Sequence, residues 1–369
     1  MGKKVKIGIG ICVGLLLAVI LVVGGYVVYM QAHFYRIPDH TALAVENNRE
    51  AVLETGHTYT AVTYNVGFGA YGPDYSFFMD TGEMKDGTKT QGIYGKAVSR
   101  EDTEKNTSGS VRILNNLNAD FMLLQEVDED ADRSYHLNQV SCLKESFPDY
   151  SSVFVNNFHT AYLLYPFSDP HGAVQAGLLN FSRYKAADAI RRSYPVDDSF
   201  ITKFMDLDRC FSVMRFPVKD GKELVLVNSH MSAYDEGGKI RVQQLELLNS
   251  VMAEEYEAGN YVIVGGDFNH AMGEAVAEGF ATEQKFPAWV SVLTSEELAD
   301  GIRMVRAENE LDVPTCRGAD IPYIKGVNYT TVVDGFLVSA NIRATAENID
   351  ADFAYSDHNP VKLTFELMD

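Results

Sequence analysis

Cysteine is scarce in this chain of 369 residues, which contains only four. Cys12 lies in an apolar segment, and Cys142, Cys210 and Cys316 are widely spaced along the rest. So few thiols at such spacings exclude a disulfide framework and a cysteine-based zinc site. We therefore expect small buried cysteines and a fold that depends on its hydrophobic core, for which the 46% hydrophobic content is sufficient.

Positive charge is also in short supply. Residues 1–36 hold four basic and no acidic side chains, so the remainder carries 27 Lys and Arg against 51 Asp and Glu, a formal charge of −24. An electric field of this sign repels polyanions and anionic lipid head groups. It argues only weakly against a nucleic-acid binder, because a local basic groove or bound cations can override the average charge.

Charge is absent from residues 7–30. A helix of this length is about 36 Å long, enough to cross a bilayer with some tilt. The apolar region of a cleaved signal peptide is usually about 7–15 residues, and no convincing cleavage site follows this one. A membrane anchor is therefore favoured over a signal peptide, and both over a buried helix of a soluble protein.

The basic residues around this segment predict its orientation. Lys3, Lys4 and Lys6 precede it, whereas Arg36 is the only basic residue soon after it. The positive-inside rule places the N-terminus in the cytoplasm and the bulk of the chain outside the cell membrane, which the chain crosses once. The predicted organisation is a cytoplasmic basic tail (1–6), a transmembrane anchor (7–30), a juxtamembrane linker (31–57) and a catalytic domain (58–369).

The domain alternates apolar runs with amphipathic segments, a pattern typical of an α/β protein. Val111, Leu114 and Leu117 predict one helix over 110–118, and a similar pattern predicts another over 239–257. Two segments look inserted, namely 67–109, as a loop beside the site or a plain mobile loop, and 270–327, as a second rim element. The predicted strands are Tyr59–Val66, Ala119–Val127, Ala173–Phe181, Cys210–Val218, Leu224–Ser229, Tyr261–Gly266, Thr331–Val338 and Val361–Leu367.

Short polar motifs stand at the ends of several of these apolar runs. Carboxylates, amides and imidazoles that converge at strand ends are what metal-assisted hydrolysis of a phosphate ester requires. None of the motifs is decisive alone, but five in one order are hard to explain by accident. They are Thr63-Tyr64-Asn65-Val66, Leu124-Gln125-Glu126-Val127, Asn228-Ser229-His230, Gly266-Asp267-Phe268-Asn269 and Ser356-Asp357-His358-Asn359-Pro360.

The residue types themselves suggest roles. Glu126 ends an apolar run, where a carboxylate is costly to bury unless it is paired or bound to a cation. Asp267 is suited to orient water or bind metal, and Asn269, on the same face if the strand continues, to donate to a phosphate oxygen. His358 suits proton transfer or charge stabilisation near neutral pH, and Asp334 lies inside an apolar run where it needs a partner.

These ordered motifs resemble the endonuclease/exonuclease/phosphatase superfamily, in its DNase I and neutral sphingomyelinase-like branch, over residues 58 to 369. The resemblance implies a four-layer α/β/β/α sandwich of two mixed sheets. The Tyr-x-Pro-Asn pattern of exonuclease III-type enzymes and the Pro-x-Trp-Cys-Asp-Arg signature of inositol polyphosphate 5-phosphatases are both absent. The resemblance is thus specific for the superfamily and not for the substrate.

The resemblance also implies a role for each matching residue. Glu126 is implied as the main Mg²⁺ ligand, with Asn65 and Asp357 near the metal and with Mn²⁺ or Ca²⁺ as other options. His358 is implied to contact the scissile phosphate under orientation by Asp334, and His230 to protonate the leaving oxygen. A separate match places Arg183 where several members contact phosphate. The alternatives are structural: a solvated acid at Glu126, turn residues at the amides and Asp357, a hydrogen-bonded His230 and a solvated Arg183.

The sequence therefore predicts a membrane-anchored, metal-dependent phosphodiesterase or phosphatase that uses in-line attack by water. The expected substrate is a phosphate ester, with a lipid phosphodiester favoured because the anchor holds the domain beside lipid. A surface-attached DNase or RNase and a non-catalytic scaffold with the same fold are the alternatives. Apart from substrate and membrane, no protein partner is predicted.

Overall fold

The computed structural model describes residues 2–233, 239–287 and 289–369. In this part of the chain the helices are α1 (Lys3–His33), α2 (Arg100–Leu117), α3 (Gln139–Ser146), α4 (Lys239–Glu257) and α5 (Glu274–Ala277). The strands are β1 (Thr41–Ala42), β2 (Thr58–Asn65), β3 (Thr81–Glu83), β4 (Lys89–Gln91), β5 (Phe121–Ala131), β6 (Ser151–Leu163), β7 (Gly172–Ser182), β8 (Asp188–Ser193), β9 (Cys210–Pro217), β10 (Glu223–His230), β11 (Tyr261–Asp267), β12 (Ile302–Val305), β13 (Cys316–Arg317), β14 (Thr330–Thr331), β15 (Asp334–Ser339), β16 (Ile342–Asn348) and β17 (Val361–Leu367).

Two large mixed sheets form the body of the molecule. One has seven strands in the order β1-β8-β9-β10-β11-β15-β12, and the other has six in the order β16-β17-β2-β5-β7-β6. Neighbouring strands are antiparallel, except that β10 is parallel to β11 and β2 is parallel to β5. The carboxyl ends of these four strands therefore lie at one end of the two sheets, where Asn65, His230 and Asp267 end their strands.

The sheets pack face to face, and each has helices on its outer face. Leu123 of β5 lies in the core between the sheets with Ile263 and Phe336 of the other sheet. Its neighbours Met122 and Leu124 face the opposite side and pack with residues of α2 and α3. Both faces of β5 are therefore buried, which explains why its sequence is an unbroken run of apolar residues. Each such buried side chain stabilises the fold by about 1.5–3 kcal/mol.

On the other side, α4 packs on the seven-stranded sheet, where Leu248 and Met252 join Val227 in a third core. The layers are therefore helix, sheet, sheet and helix. The predicted four-layer α/β/β/α sandwich is confirmed, and α4 has the predicted bounds.

Helix α2 begins ten residues before the predicted helix. The side chain of Ser99 accepts a hydrogen bond from the backbone N–H of Asp102, and Glu101 and Asp102 place negative charge in the first turn. The helix ends at Asn118, which adopts the left-handed conformation. The apolar periodicity used for the prediction covers only the last half of the helix, because the first half is polar.

Helix α1 is apolar and long enough to cross a membrane, although a signal sequence near the N-terminus has the same properties. The most apolar stretch of α1 is not buried by any other part of the described structure. The cysteine prediction holds in the domain's core: all four cysteines are free, Cys210 and Cys316 are buried, Cys142 is half-buried and Cys12 is exposed on α1.

The predicted linker, residues 31–57, packs against the sheets over much of its length. Strand β1 pairs with β8 at the edge of the seven-stranded sheet, and the backbone of Glu46 pairs with that of Ser152 in the other sheet. Leu53 is completely buried in the core between the sheets. The segment therefore belongs structurally to the domain and is not a free tether.

The first inserted segment is also packed. Its aromatic side chains form a compact cluster with Ala97 and Ala319, and the guanidinium of Arg133 stacks 3.9 Å from the ring of Phe68. Strands β3 and β4 form a hairpin, and Met84 pairs with Gln284 of the second inserted segment. The two segments thus pack on each other beside the carboxyl ends of the central strands.

Candidate active site

Strand register brings four of the predicted residues to one place. Asn65 ends β2, His230 ends β10 and Asp267 ends β11, while Asp334 begins β15. Asp267 is the direct partner of His230 on one side and of Asp334 on the other. Because β15 and β17 run antiparallel to their neighbours, residues that precede them meet the same end of the sandwich.

Asn65 joins the two sheets across the site. Its Nδ2 donates to Oε1 of Glu126 at 3.1 Å and to Oδ2 of Asp267 at 3.0 Å. Its side-chain Oδ1 accepts from the backbone N–H of Gly67 at 3.0 Å. Asn65 therefore faces the carboxylates as a hydrogen-bond donor, and its side-chain oxygen is engaged with the backbone.

Glu126 has an unusual backbone conformation. Its φ is 55°, and the pairing of β5 with β7 shifts register between Leu124 and Val127. Such a bulge turns a side chain out of the regular alternation of a strand. The carboxylate of Glu126 is thereby directed toward Asn65, and its side chain remains about one quarter exposed.

His358 is held by Asp334. Its Nδ1 donates to Oδ2 of Asp334 at 2.8 Å, which leaves Nε2 at 3.8 Å from Oδ2 of Asp267. Burial alone would lower the pKa of His358, but the neighbouring Asp334, Cys316 and Asp267 raise it well above its ordinary value. The imidazole is therefore a positively charged donor aimed toward Asp267.

His230 lies on the other side of the same carboxylate. Its Nε2 is 3.6 Å from Oδ2 of Asp267 and 4.0 Å from Oε1 of Glu126. Burial lowers the pKa of His230 well below its ordinary value, and the charges of Arg209 and His358 act in the same direction. Its buried Nδ1 has no hydrogen-bond partner. The neutral ring keeps one N–H, which can be donated to an oxygen.

Asp267 is the centre of the cluster. Burial raises its pKa to about 6, with Asp334 adding to the shift and His358 opposing it. Its Oδ1 accepts from the backbone N–H of Asn269 at 2.9 Å. Asn269 has a φ of 50°, so the chain turns there instead of continuing as a strand, and its Nδ2 donates to the carbonyl oxygen of Met231. The condition for placing Asp267 and Asn269 on one face, that the strand continues through Asn269, is therefore not met.

Asp357 is electrostatically coupled to Glu126. Burial raises the pKa of Asp357 to about 7, His358 and Arg317 oppose the shift, and Glu126 adds to it. Ser356, next to it, donates from Oγ to the backbone oxygen of Asn65 at 2.7 Å. This bond ties the loop before β17, which carries His358, to the end of β2.

The donor set fits a hard divalent cation. Asn65 holds the carboxylates of Glu126 and Asp267 on one side-chain nitrogen, and the charge of Glu126 acts on Asp357, so negative charge collects where it is costly without a counter-ion. Asp267, Asp334 and His358 each offer a ligand atom within 4.8 Å of the others. Oδ1 of Asp334 is buried and has no hydrogen-bond partner. A set dominated by carboxylate oxygens suits Mg²⁺, Mn²⁺ or Ca²⁺ better than a thiolate-preferring metal.

Arg183 lies outside this cluster. Its guanidinium bonds to the backbone and side-chain oxygens of Asn118 and stacks 4.8 Å from the ring of Tyr150. Arg183 follows the last residue of β7, which pairs with the first residue of β5, whereas the other candidate residues lie toward the far ends of the central strands. The structure therefore does not bring Arg183 to the other predicted residues.

Two residues that support the site, Thr315 and Arg317, belong to none of the sequence motifs. Oγ1 of Thr315 accepts from the backbone N–H groups of Val333 and Asp334, which fixes the start of β15. Arg317 is buried beside Asp357 and donates to the carbonyl oxygen of Gly72 in the first inserted segment. Both are more than 15 residues from the nearest residue they support in the site, so only the folded chain shows the relation.

The fold is similar to those of known proteins. Three similar solved structures are TDP2 from Caenorhabditis elegans (14% identity, 87% of this chain and 77% of that chain, TM-score 0.53), the endonuclease/exonuclease/phosphatase from Beutenbergia cavernae (14%, 84% and 72%, 0.55) and the endonuclease/exonuclease/phosphatase family protein from Leptotrichia buccalis (15%, 84% and 100%, 0.54). At such identities the likeness shows the fold alone. No curated protein matches the chain.

The family itself is shown by the sequence. A model of the endonuclease/exonuclease/phosphatase family matches residues 62–358, which include every residue of the cluster described above. Members of this family are generally metal-dependent hydrolases of phosphate esters. The resemblance found in the motifs is confirmed, and the chain belongs to the endonuclease/exonuclease/phosphatase family.

Proposed function

We propose that this chain is a membrane-anchored, magnesium-dependent phosphohydrolase that cleaves a phosphodiester, preferably of a lipid. The observation that carries the proposal is the position of Asn65, which joins Glu126 and Asp267 while His230 and His358 flank the same carboxylate. This combination provides cation ligands, a base for water and two donors for phosphate oxygens within one small volume.

Glu126 is the principal residue to hold the cation, with Asp357 and Asp267 beside it. A Mg²⁺ ion held by these residues would supply neutralisation of phosphate charge and polarisation of the ester, and Mn²⁺ or Ca²⁺ would fit the same oxygen donors. The amide of Asn65 keeps the carboxylates apart at a fixed distance through its two hydrogen bonds.

The remaining steps belong to the chain's own side chains. Oδ2 of Asp267 orients the attacking water and takes its proton as water attacks phosphorus in line. His358, fixed by Asp334, donates from Nε2 to a phosphate oxygen, and Asn269 donates its second amide hydrogen. His230 donates to the leaving oxygen on the opposite side of Asp267. No covalent intermediate is formed.

The preference for lipid depends on the whole chain. Helix α1 is apolar enough to hold the domain at a bilayer, with the N-terminus in the cytoplasm and the domain outside. The charge of −24 beyond residue 36 disfavours a polyanionic strand of nucleic acid. A single phosphodiester in a zwitterionic head group avoids that repulsion.

The test is hydrolysis by the full chain in lipid nanodiscs, with Mg²⁺ or with EDTA. Sphingomyelin, phosphatidylcholine, phosphoinositides, DNA and RNA are offered separately. We expect Mg²⁺-dependent release of the phosphorylated head group, lost in His358→Ala and retained in His40→Ala, an exposed histidine far from the cluster. Cleavage of DNA or RNA alone would assign a nuclease, and no hydrolysis of any substrate would refute the proposal.

A further inference from the structure

The last two turns of α1 rest on two connections of the domain. The hydroxyl of Tyr26 donates to the backbone oxygen of Tyr162 at 3.0 Å, and the backbone N–H of Tyr162 donates to the hydroxyl of Tyr29. Farther along, Nζ of Lys203 donates to Oε1 of Gln31, and the ring of Phe34 packs edge-on against Phe204. The domain is therefore fixed to the helix at a defined level.

That level coincides with the expected edge of a bilayer. Residues 7–25, which precede the contacts, would form about 28 Å of helix, close to the thickness of a hydrocarbon core. Tyr26 and Tyr29 follow directly, and tyrosine is enriched at the boundary between lipid tails and water. The end of β6, which contacts these tyrosines, then lies at the membrane surface, and the connection between β8 and β9 contacts the chain just beyond them, at Gln31 and Phe34.

Both connections expose large apolar side chains, with exposed fractions between 41% and 83%. We call this set the apolar rim. Phe167, at 83%, and Ile201, at 69%, are the most exposed members. An apolar patch beside water marks an interaction surface. The members are Leu164, Tyr165 and Phe167 between β6 and β7, and Phe200, Ile201 and Met205 between β8 and β9.

The apolar rim lies at the catalytic end of the sandwich. The connection between β8 and β9 returns through Phe211, which pairs with Ser229, the residue before His230. The hairpin of β6 and β7 extends beyond Glu126, since β7 still pairs with the last residue of β5. From Gly177, which pairs with Val127, to the start of β7 at Gly172 is about 17 Å of strand.

Aromatic packing connects the apolar rim to the site. The ring of Tyr165 lies 5.5 Å from that of Phe78, which packs 4.8 Å from Phe77. Phe77 in turn contacts Tyr71, whose buried hydroxyl is next to the charge of Asp357. The rim and the site therefore belong to one continuous body of side chains.

We propose that the apolar rim inserts into a zwitterionic bilayer beside α1 and turns the mouth of the catalytic site toward lipid head groups. The lipid substrate in this inference rests on the proposed function. The docking itself rests on α1 and the apolar rim. The surroundings of the rim are acidic: Asp198 is exposed, and Arg36 is paired with Asp198 and Asp208. Since no free cluster of basic residues accompanies the described part of the rim, a choline-type surface fits better than an anionic one.

The first experiment locates the rim relative to the bilayer. The full chain is reconstituted in phosphatidylcholine vesicles with brominated acyl chains, and tryptophan emission is measured for Phe167→Trp and for Thr58→Trp. Thr58 is exposed at the opposite end of β2, and Trp289 contributes the same background to both variants. We expect quenching at position 167 and none at position 58. Absence of quenching at position 167 would overturn the proposal.

The second experiment separates docking from chemistry. The double variant Phe167→Ser/Ile201→Ser changes only exposed side chains and leaves the catalytic cluster intact. We expect about tenfold slower hydrolysis of vesicle lipid, and unchanged hydrolysis of a water-soluble phosphodiester, because only the first substrate requires docking. Equal loss on both substrates would contradict the docking role. If no substrate is hydrolysed by the parent chain, the proposed function fails, and the quenching result still decides the position of the rim.

Discussion

At the scale of single residues, the site depends on side chains held in conformations that the chain does not favour locally. Glu126 has a left-handed backbone, which costs a residue with a long side chain about 1–2 kcal/mol. It also faces the like charge of Asp357. Both unfavourable effects fit the proposed role of Glu126, which needs its carboxylate directed toward Asn65 and the cation.

Glu126→Asn tests this directly, because asparagine tolerates the left-handed conformation and carries no charge. We expect the variant to be more stable than the parent by about 0.5–1.5 kcal/mol in EDTA, and inactive. Glu129→Asn, in an exposed position of the same strand, should leave stability and activity nearly unchanged. Urea unfolding with and without Mg²⁺ provides the measurement. A destabilised Glu126→Asn protein in EDTA would show that the backbone conformation is not strained.

In the proposed mechanism, Asp334 acts through His358, to which it is hydrogen-bonded. Asp334→Asn removes the negative charge that raises the pKa of His358, so the charged imidazole should be lost at lower pH. We expect kcat to fall by about 10²–10⁴-fold with little change in KM, and the alkaline limb of the pH profile to move to lower pH. Asp188→Asn, at the exposed start of β8, is the matched control. An unshifted alkaline limb would argue that Asp334 has only a structural role.

His171 provides a test of burial away from the chemistry. Its ring lies among aromatic side chains and donates from Nδ1 to the backbone oxygen of Gly95, and burial lowers its pKa to about 3, helped by Arg133. Below pH 6.5 this histidine is protonated in the unfolded chain but stays neutral in the folded chain. It therefore lowers the free energy of unfolding as the pH falls toward 3.

His171→Asn keeps a donor and removes the titration. Between pH 7 and pH 5 the parent should lose about 2 kcal/mol more stability than the variant. Exposed His40→Asn should follow the parent. Denaturant unfolding at several pH values measures the difference, and parallel curves for parent and His171→Asn would contradict the assignment.

At the scale of elements, strand packing explains the glycines before Asp267. A Cβ on Gly266 would lie 2.0 Å from the backbone oxygen of Ser229 in β10, and one on Gly265 would lie 2.5 Å from the ring of Phe336. The structure assigns them to close approach of neighbouring strand and side-chain atoms.

Gly266→Ala should therefore lower the free energy of unfolding by about 1–3 kcal/mol, because backbone atoms must move to make room. Gly72→Ala, where the nearest atom is 3.6 Å from the added Cβ, is the control and should be close to neutral. Thermal unfolding of both variants measures this. An unaffected Gly266→Ala protein would mean that β10 and β11 can separate without cost.

The elements also show how far sequence alone can predict this molecule. Strands buried on both faces, such as β5 and β11, were predicted within a few residues because their runs are continuously apolar. Edge strand β6 contains Asn156, Asn157 and His159, so it has no continuous apolar run from which a strand could be predicted. Strand β8 is half polar and lacks such a run as well. The polar first half of α2 was missed for the same reason, since periodicity needs apolar residues.

The site was predictable where a residue ends a buried strand. Asn65, His230 and Asp267 meet because parallel strands place their carboxyl ends together. The position of Arg183 was not predictable, because the antiparallel register of β7 sends it to the opposite end. The turn at Asn269 and the donor role of Asn65 depend on hydrogen bonds between distant segments, which spacing along the chain does not reveal.

At the scale of the whole molecule, one end of the sandwich collects the catalytic cluster, the two inserted segments, the apolar rim and the last turns of α1. The opposite end has the short turn between β9 and β10 and the start of β2. This polarity is consistent with an enzyme that works at a surface. Because the domain has an excess of acidic residues, a bound cation would stabilise it by reducing the repulsion between the carboxylates of the site.

The central claim is that Glu126, Asp267 and their neighbours form one cation-binding pocket. Crystals grown with Mn²⁺ and measured at the manganese absorption edge test it most directly. The account predicts an anomalous peak bonded to the carboxylate of Glu126, with Asp267 and His358 on the sides of the same pocket, and no such peak in Glu126→Gln. Saturating Mn²⁺ with no peak at Glu126, or with those three residues facing separate surfaces, would contradict it.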